Sequence, residues 1–312
     1  MQSAEKMRTC SLTAEHRREL KQMISPAHLR FEEPMADHTT MRVGGPAEVY
    51  IIPDEKEFAE VMKYAYRDGL PIMVIGNGSN LLVGDLGIPG IVVSTDGLTD
   101  MQLDGVEVTA GAGIRLGKLA NFAKQNALAG LEFASGIPGS LGGAVFMNAG
   151  AYGGEMKDVV KEVTLIRKDG SLRTLPAEDL DFEYRHSILE STHEAVISAR
   201  LLLHRGDPSE IDALQKDYNG RRREKQPLEY PSAGSTFKRP EGHFAGKLIE
   251  DSGLRGYRVG DAQVSEKHCG FVINLGSATA ADIRELINHV IYTVELKQGV
   301  HMEPEVRMIG EF

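Results

Sequence analysis

The sequence predicts an α+β protein made of two or three globular units. Its 312 residues are about twice the ~150 residues of an average domain, so more than one unit is expected. The early part alternates strands and helices, whereas a hairpin and then long helices follow. With 41% hydrophobic and 26% charged residues, the composition excludes a disordered chain, a collagen-like repeat and a coiled coil.

A short N-terminal helix is predicted, followed by a strand, a helix and a second strand. AEVYII (47–52) and PIMVI (71–75) are apolar runs typical of strands. Between them, residues 54–68 have helical spacing, and Gly69 and Pro71 end the helix. The apolar face of this helix comprises Phe58, Val61, Met62 and Ala65. A helix between two strands makes a βαβ unit, so we expect parallel strands, the second one buried.

A second strand and helix precede a hairpin. VEVTAGAGI (106–114) predicts the strand, and residues 115–128 predict a helix that ends before Gly130. This helix has Leu116, Leu119, Ala120 and Ala123 on one face. Asp169-Gly170 in VTLIRKDGSLRTL is a hairpin signal, and AVISARLLL (195–203) predicts an apolar strand.

The composition changes near residue 206, which predicts a domain boundary there. Asp207-Pro208 begins a polar helix that ends in the basic run Arg221 to Arg223. A short helix is predicted around 244–251, and a long amphipathic helix between Thr279 and Gly299. The apolar face of the long helix comprises Ile283, Leu286, Ile287, Val290, Ile291 and Val294.

The charge balance argues against a nucleic-acid or membrane partner. Lys and Arg number 35 against 45 Asp and Glu, a net charge of −10, and there is no extended basic stripe. The N-terminus lacks the apolar segment of a secretory signal, and no stretch approaches the ~18 apolar residues that span a bilayer. We therefore expect a cytoplasmic protein. A monomer is expected, although the sequence does not encode the oligomeric state.

The two cysteines predict neither a disulfide framework nor a metal site. Cys10 and Cys269 lie in unlike contexts, with no CxxC pair and no cluster of His and Cys. Both are expected to be ordinary reduced thiols, and no metal is expected.

Glycine is concentrated in loops that could approach a phosphate. Eight of the 25 residues from Gly130 to Gly154 are glycine. The dinucleotide fingerprint fails in GNGSNLL (76–82) and GAGIRLG (111–117), because leucine replaces its third glycine. A Walker loop fails at 242–248, which is one residue short and ends in Leu248. Neither standard nucleotide fold is predicted.

The first of these loops and a third, GIPGSLGG (136–143), could instead hold opposite sides of an extended diphosphate. Hydroxyl and amide groups in and after these loops would add hydrogen bonds. The candidate cofactor-binding residues are Gly76, Asn77, Gly78, Ser79, Asn80, Gly136, Gly139, Ser140, Gly142, Gly143 and Asn148. The alternative is that these glycines only make tight turns.

Seven motifs in order carry a resemblance to a known family. They are HTTMRVGGPAE (38–48), GNGSNLLV (76–83), GLEFASGIPGSLGGAVFMNAGAYGGE (130–155), FEYRHS (182–187), AGSTFKRPEGHFAGKLIEDSGLRG (233–256), VSEKHCGFVIN (264–274) and EPEVRMIG (303–310). The sequence resembles the UDP-N-acetylenolpyruvoylglucosamine reductases, flavoenzymes that make UDP-N-acetylmuramate for bacterial peptidoglycan. The uninterrupted AGSTFKRPEGHFAGKLI segment is similar to the family's shorter subtype, which lacks an extra substrate-covering loop.

The resemblance implies a fold and two redox partners. Residues 1–97 and 98–205 would be two FAD-binding subdomains of the vanillyl-alcohol-oxidase type. Residues 206–300 would be an α+β substrate-binding domain, and residues 301–312 a tail that returns to the flavin site. Some relatives in the wider fold attach FAD covalently through a histidine, and His38 would be the candidate for such a bond. The family resembled here holds FAD without one, so dissociable FAD is expected. NADPH would be the co-substrate.

The resemblance also implies roles for three residues in reducing the enolpyruvyl group of UDP-N-acetylglucosamine enolpyruvate. Ser235 would donate the proton to C2, and Arg185 would face the substrate carboxylate. Glu305 would complete the site, either neutral or tied to Arg185, because a free carboxylate would repel a developing enolate. Glu303, two residues earlier, is hard to separate from Glu305 by the residues alone, and Glu305 is chosen from its place in the family motif.

Four further residues are candidates for substrate binding. Lys225 and Lys238 are cationic candidates for the UDP diphosphate. Tyr184 neighbours Arg185, and His268 could contact the substrate or be a structural histidine. The neighbouring arginines 221–223 are better explained as a solvated helix end. Ser235 as a turn hydroxyl and Arg185 as a surface ion-pair residue are the corresponding alternatives.

Two other functions remain open at this point. A flavin oxidase of an alcohol or sugar would use the glycine loops but leave Arg185, Ser235 and Glu305 without a role. A binding protein for a nucleotide sugar that kept only the fold would predict damage in the glycine loops or at Ser235, and the sequence has none.

Overall fold

The structure is a computed structural model that describes residues 12–312, so Cys10 lies outside the described residues. The helices are α1 (Ala14–Met23), α2 (Glu55–Asp68), α3 (Leu116–Gln125), α4 (Leu141–Phe146), α5 (Leu189–Thr192), α6 (Pro208–Lys225), α7 (Ala245–Asp251) and α8 (Ala280–Gln298). The strands are β1 (Leu29–Pro34), β2 (Pro46–Ile51), β3 (Ile72–Ile75), β4 (Leu81–Val83), β5 (Ile88–Ser94), β6 (Met101–Asp104), β7 (Glu107–Gly111), β8 (Leu128–Ala129), β9 (Gly150–Ala151), β10 (Gly154–Glu155), β11 (Val160–Ile166), β12 (Leu172–Pro176), β13 (Ala195–Leu202), β14 (His204–Arg205), β15 (Arg258–Val259), β16 (Ala262–Val264), β17 (Val272–Asn274) and β18 (Arg307–Ile309).

A four-stranded sheet has the order β1-β2-β5-β3. The two strands predicted early in the chain are confirmed as β2 and β3, but β5 lies between them. β3 pairs in parallel with β5, from Ile72 with Ile91 to Ile75 with Ser94. The sequence did not predict β5, because its Pro89-Gly90 is typical of a turn. β3 was expected to be buried, whereas only its last residue is.

Helix α2 begins and ends where its sequence signals place it. The Asp54 carboxylate accepts a hydrogen bond from the Glu57 N–H at 2.8 Å, and the Glu57 side chain accepts one from the Asp54 N–H. Such a capping box satisfies two of the free N–H groups at a helix start. Gly69 ends the helix with φ of +64°, a conformation that glycine adopts without strain.

An antiparallel five-stranded sheet has the order β12-β11-β13-β7-β6. The hairpin predicted at Asp169-Gly170 joins β11 to β12, and Gly170 has φ of +75°. Helix α3 ends at Gln125, earlier than the predicted 128. Ala127 has φ of +55°, which ends the helix, and residues 128–129 then pair with β14, a strand distant in sequence.

The chain divides into two compact units, each with its own hydrophobic core. Unit 1 comprises the described residues up to Phe31, Glu48–Asn77 and Pro89–Gly220, and unit 2 comprises Glu32–Ala47, Gly78–Ile88 and Arg221–Phe312. Most of α6 belongs to unit 1, where the Gln215 amide donates to the Ala120 carbonyl at 3.1 Å. The three-domain division, with its boundary near 206, stays a prediction.

Unit 2 is built around α8 and the antiparallel sheet β15-β16-β17. The predicted apolar face of α8 is buried except for Ile291, which is half-buried. The Asp85 carboxylate accepts hydrogen bonds from the N–H groups of Ala280 and Ala281, at 2.8 and 2.9 Å, and so caps the start of the helix. β18, in the C-terminal tail, pairs in parallel with β4.

Across residues 12–312, no helix has the length and apolar character needed to span a membrane.

Candidate active site

The first glycine loop begins at the carboxyl end of a parallel strand pair. β3 and β5 end in register, so Gly76 and Thr95 follow them at the same edge of the sheet. This edge is where open sheets with parallel strands bind ligands. A Cβ at Gly76 would overlap the Ser140 Oγ and lie 3.8 Å from the Thr95 Oγ1. An added methyl group would force the Ser140 hydroxyl to move, and two hydroxyl groups converge on the Gly76 backbone.

These two hydroxyl groups are buried without a protein partner. Ser140 is 1% exposed and Thr95 is 4% exposed. In the part of the chain that the structure describes, neither hydroxyl oxygen makes a hydrogen bond. A buried hydroxyl without a partner costs about 1–3 kcal/mol, so a bound group with acceptor oxygens would stabilise both. The diphosphate of FAD has such oxygens, and these residues fit it.

Thr95 was not among the predicted site residues. Its only sequence signal is its position directly after the apolar run IVVS, where a buried strand ends. The pairing of β5 with β3, which places Thr95 beside Gly76, is a tertiary feature.

The loops around Gly76 and Ser140 are brought together in unit 1. The Asn77 side-chain amide donates to the Pro138 carbonyl, which joins the two loops directly. The backbone of Gly139 accepts a hydrogen bond from the Leu116 N–H at 3.0 Å. A Cβ at Gly143 would lie 3.6 Å from the Ser140 Oγ, an ordinary contact, and Gly136 lies at the start of the same loop.

Two of the predicted cofactor-binding residues, Gly142 and Asn148, make close contacts within the protein. The Gly142 N–H donates to the Ala112 carbonyl at 2.8 Å, and a Cβ there would lie 2.9 Å from the Ala112 Cβ. Asn148 is fully buried, its amide nitrogen donates to the Glu155 carboxylate and the Glu183 carbonyl, and its oxygen accepts from the Lys157 N–H, all at 2.9 Å. The Asn148 side chain therefore has no free donor for a cofactor.

The rest of the GNGSN loop belongs to unit 2. Gly78 has φ of +61°, and a Cβ on it would overlap the His38 carbonyl oxygen, so glycine is required. The Asn80 amide donates to the Glu305 carbonyl at 3.1 Å, whereas Ser79 is half-buried. The His38 imidazole is hydrogen-bonded to Glu33 at 2.9 Å.

Ser235 and Glu305 lie on two paired segments of unit 2. The Glu305 N–H donates to the Thr236 carbonyl at 2.8 Å, and the Lys238 N–H donates to the Glu303 carbonyl at 2.9 Å. Ser235 is exposed, and its hydroxyl makes a long contact of 3.5 Å with the Phe237 carbonyl. Two predicted residues that are 70 positions apart are thus at neighbouring backbone positions.

The two glutamates of the Glu-Pro-Glu motif have different surroundings in the structure. The Glu303 carboxylate is exposed and forms an ion pair with Lys238 at 3.0 Å, and this hydrogen bond lowers the pKa of Glu303 below its ordinary value. Glu305 is half-buried beside the Ser235 segment. Glu303 and Lys238 are therefore engaged with each other.

Arg185 is the third predicted catalytic residue and lies in unit 1. It occupies a tight turn in which Glu183 and His186 exchange backbone hydrogen bonds. Its φ is +57°, unusual for a residue with a side chain. The guanidinium donates to the Gly150 carbonyl at 3.2 Å and lies 5.0 Å from the centre of the exposed Tyr184 ring.

The remaining substrate candidates differ in their surroundings. The His268 Nδ1 accepts a hydrogen bond from the Gly270 N–H at 3.1 Å, and the ring packs edge-on against Phe271. Burial lowers the pKa of His268, which favours the neutral ring. Because Nδ1 accepts a hydrogen bond, the proton of the neutral ring lies on Nε2. Lys225 is exposed at the end of α6.

Cys269 is a buried free thiol, and burial raises its pKa. Over residues 12–312, no three His, Cys, Asp or Glu side chains are grouped to hold a metal ion.

Comparison with known proteins gives matches over most of the chain. The model described as FAD binding domain matches residues 46–176, and that of the UDP-N-acetylenolpyruvoylglucosamine reductase C-terminal domain matches residues 226–309. The reductase of this name from Agathobacter rectalis is 53% identical over 90% of this chain and 94% of its own length. That from Staphylococcus aureus is 45% identical over 94% of this chain and 95% of its own. The crystal structure of the Thermus caldophilus enzyme has a TM-score of 0.79 and 37% identity, covering 90% of this chain and 99% of that one. The predicted fold class is confirmed.

Proposed function

This chain belongs to the UDP-N-acetylenolpyruvoylglucosamine reductase family, and on that premise we propose which of its residues perform the NADPH-dependent reduction. Bound FAD would supply the hydride transfer from NADPH to the enolpyruvyl group. The protein must hold the cofactor, orient the substrate carboxylate and deliver a proton to C2. The product is the lactyl ether of UDP-N-acetylmuramate. Because NADPH is a reductant of the cell interior, the proposal includes a cytoplasmic location.

In this proposal, the Gly76 loop and the hydroxyls of Ser140 and Thr95 hold the FAD diphosphate. Their support is the overlap that a Cβ at Gly76 would cause and the two buried hydroxyls without protein partners. The remaining loop glycines shape the backbone. Residues 206–300 bind the UDP-sugar, with Lys225 facing its diphosphate, and Lys238 would join Lys225 there by leaving its ion pair with Glu303.

Arg185 orients the substrate by binding its carboxylate. A guanidinium offers paired donors that match a carboxylate, and it stabilises negative charge that spreads from C2 in the transition state. The Tyr184 ring centre lies 5.0 Å from the guanidinium carbon, a cation–π distance that favours this position of the side chain.

Ser235 donates the proton to C2 once the hydride has reached C3, and Glu305 assists from the adjacent segment. The observation that carries this assignment is the pairing of the Ser235 and Glu305 segments through the 2.8 Å hydrogen bond from the Glu305 N–H to the Thr236 carbonyl. Serine is a weak acid, so the proton passes only because the neighbouring enolate is a much stronger base. The exposed Ser235 hydroxyl is accessible to a substrate. His268 contributes its Nε2–H as a donor.

The substitution Ser235→Ala tests the proton donor. We expect reduction by NADPH, followed as bleaching near ~450 nm under anaerobic stopped-flow, to be nearly unchanged. Reoxidation by the enolpyruvyl sugar should slow by about 10²- to 10⁴-fold, since the proton is needed only in that half-reaction. Ser277→Ala, which alters another exposed serine of unit 2, is the matched control and should change neither rate. An equal loss in both half-reactions would contradict the assignment, and reoxidation by oxygen alone would favour an oxidase.

A further inference from the structure

The turn that carries Arg185 is anchored by one buried amide. The Asn148 amide nitrogen donates at 2.9 Å to the Glu183 carbonyl, which begins the turn, and at 2.9 Å to the Glu155 carboxylate. The side chain is fully buried, and its oxygen is bonded to the Lys157 N–H. One side chain therefore joins the backbone beside Arg185 to a carboxylate in a different segment.

The same carboxylate lies in the short hairpin that holds the Arg185 guanidinium. Gly150 and Glu155 are opposite each other in the β9 and β10 pair, and the Gly150 carbonyl accepts the hydrogen bond from Arg185 at 3.2 Å. A Cβ on Gly150 would lie 2.7 Å from the Glu155 Cγ, so the glycine is needed for this close approach. Both the backbone and the guanidinium of Arg185 are thus linked to the hairpin.

Glu155 remains ionised in this setting. The hydrogen bond from Lys157 at 2.8 Å lowers the pKa of Glu155, and the Asn148 amide and the charge of Arg185 lower it further, against the effect of burial. An anionic carboxylate is a stronger acceptor for the Asn148 amide than a neutral one, and it attracts the arginine.

We infer that Asn148 and Glu155 are positioning residues for Arg185. They act by fixing the turn and the hairpin, so that the guanidinium meets the substrate carboxylate in one orientation. The inference rests on the proposed role of Arg185. A displacement of about 1 Å in a substrate-orienting group can cost about 10²-fold in rate, so the effect is measurable.

The test is Glu155→Gln in the FAD-loaded enzyme, with both half-reactions measured. We expect unchanged reduction by NADPH, a slower reoxidation by the enolpyruvyl sugar of about 10- to 100-fold, and a raised KM for that sugar. Glu107→Gln is the matched control, because Glu107 is also a carboxylate of unit 1 paired with a lysine and an arginine, Lys161 and Arg200. It should leave both half-reactions unchanged. Equal slowing of both half-reactions by Glu155→Gln would mean a merely structural role and would overturn the inference.

A double-substitution cycle separates this inference from the proposed function. If Glu155 acts through Arg185, adding Glu155→Gln to Arg185→Ala should cause no further loss. Should Arg185→Ala leave reoxidation unchanged, the role proposed for Arg185 fails. Should Arg185→Ala slow reoxidation while Glu155→Gln does not, only the positioning role fails. If Glu155→Gln is purified without FAD, Asn148→Ser, which keeps the carboxylate but cannot make both amide bonds, is measured in the same way with the same expected results.

Discussion

At the scale of single residues, Arg185 combines an unfavourable backbone with a useful side chain. A positive φ in a non-glycine residue costs about 1–2 kcal/mol, and glycine would avoid that cost. Such outliers are found at functional sites, where the surrounding structure maintains them. Glycine at this position would relieve the strain but would remove the guanidinium.

Arg185→Gly should abolish reoxidation by the substrate while changing the stability of the fold little. Relief of the strained φ favours the folded state, while the greater freedom of glycine in the unfolded chain and the lost bond to Gly150 oppose it. We expect a free energy of unfolding within about 1 kcal/mol of the wild type, by denaturant titration, and near-complete loss of reoxidation by the enolpyruvyl sugar. His193→Gly is the control, because His193 also has a positive φ of +56° but no proposed role. A loss of stability well beyond that range would show that the arginine holds the fold itself.

At the scale of secondary-structure elements, the limits of the long helices are predictable and strand order is not. Helix α8 begins with a capping box between Thr279 and Asp282 and ends at Gly299 with φ of +67°, both of which are local signals. β5 entered the sheet between β2 and β3 without such a signal. Strand pairing joins residues distant in sequence, so short-range patterns do not specify it.

Substitution of glycine by alanine should have opposite effects in two elements. Gly76→Ala would place a Cβ against the Ser140 hydroxyl, so we expect weaker FAD binding and lower FAD content after purification. Gly220→Ala lies inside α6, where a Cβ meets nothing within 4 Å, and should stabilise by about 0.5–1 kcal/mol without changing FAD content. FAD fluorescence titration and denaturant unfolding measure the two effects. Normal FAD affinity in Gly76→Ala would contradict the proposed role of the Gly76 loop in holding FAD.

At the scale of the whole molecule, the proposed cofactor site draws on separate stretches of chain. Gly76, Thr95 and Ser140 are far apart in sequence, and all three meet in unit 1. A ligand bound there would connect these stretches only when the chain is folded, so binding should stabilise the folded state.

Removal of FAD should therefore lower the Tm. With free FAD at 100 times its Kd, binding adds about 2.7 kcal/mol to the free energy of unfolding, enough to raise the Tm by several degrees. Scanning fluorimetry of the FAD-depleted protein, with and without added FAD, measures the shift. FMN, which lacks the adenosine and the second phosphate, should restore less of the Tm than FAD. No increase with FAD would contradict the proposed site.

The sequence by itself determined the α+β class, the limits of α2 and α8, the family motifs and three catalytic candidates. It did so because helix caps, apolar periodicity and motif order are properties of short stretches. Only the tertiary structure paired Glu303 with Lys238, placed the Thr95 hydroxyl beside Gly76 and bonded the Asn148 amide to the Glu183 carbonyl. Each of these depends on a partner remote in the chain, such as Lys238 for Glu303 or Glu183 for Asn148. Such partners are selected by packing and hydrogen bonding in three dimensions, which no local pattern of residues records.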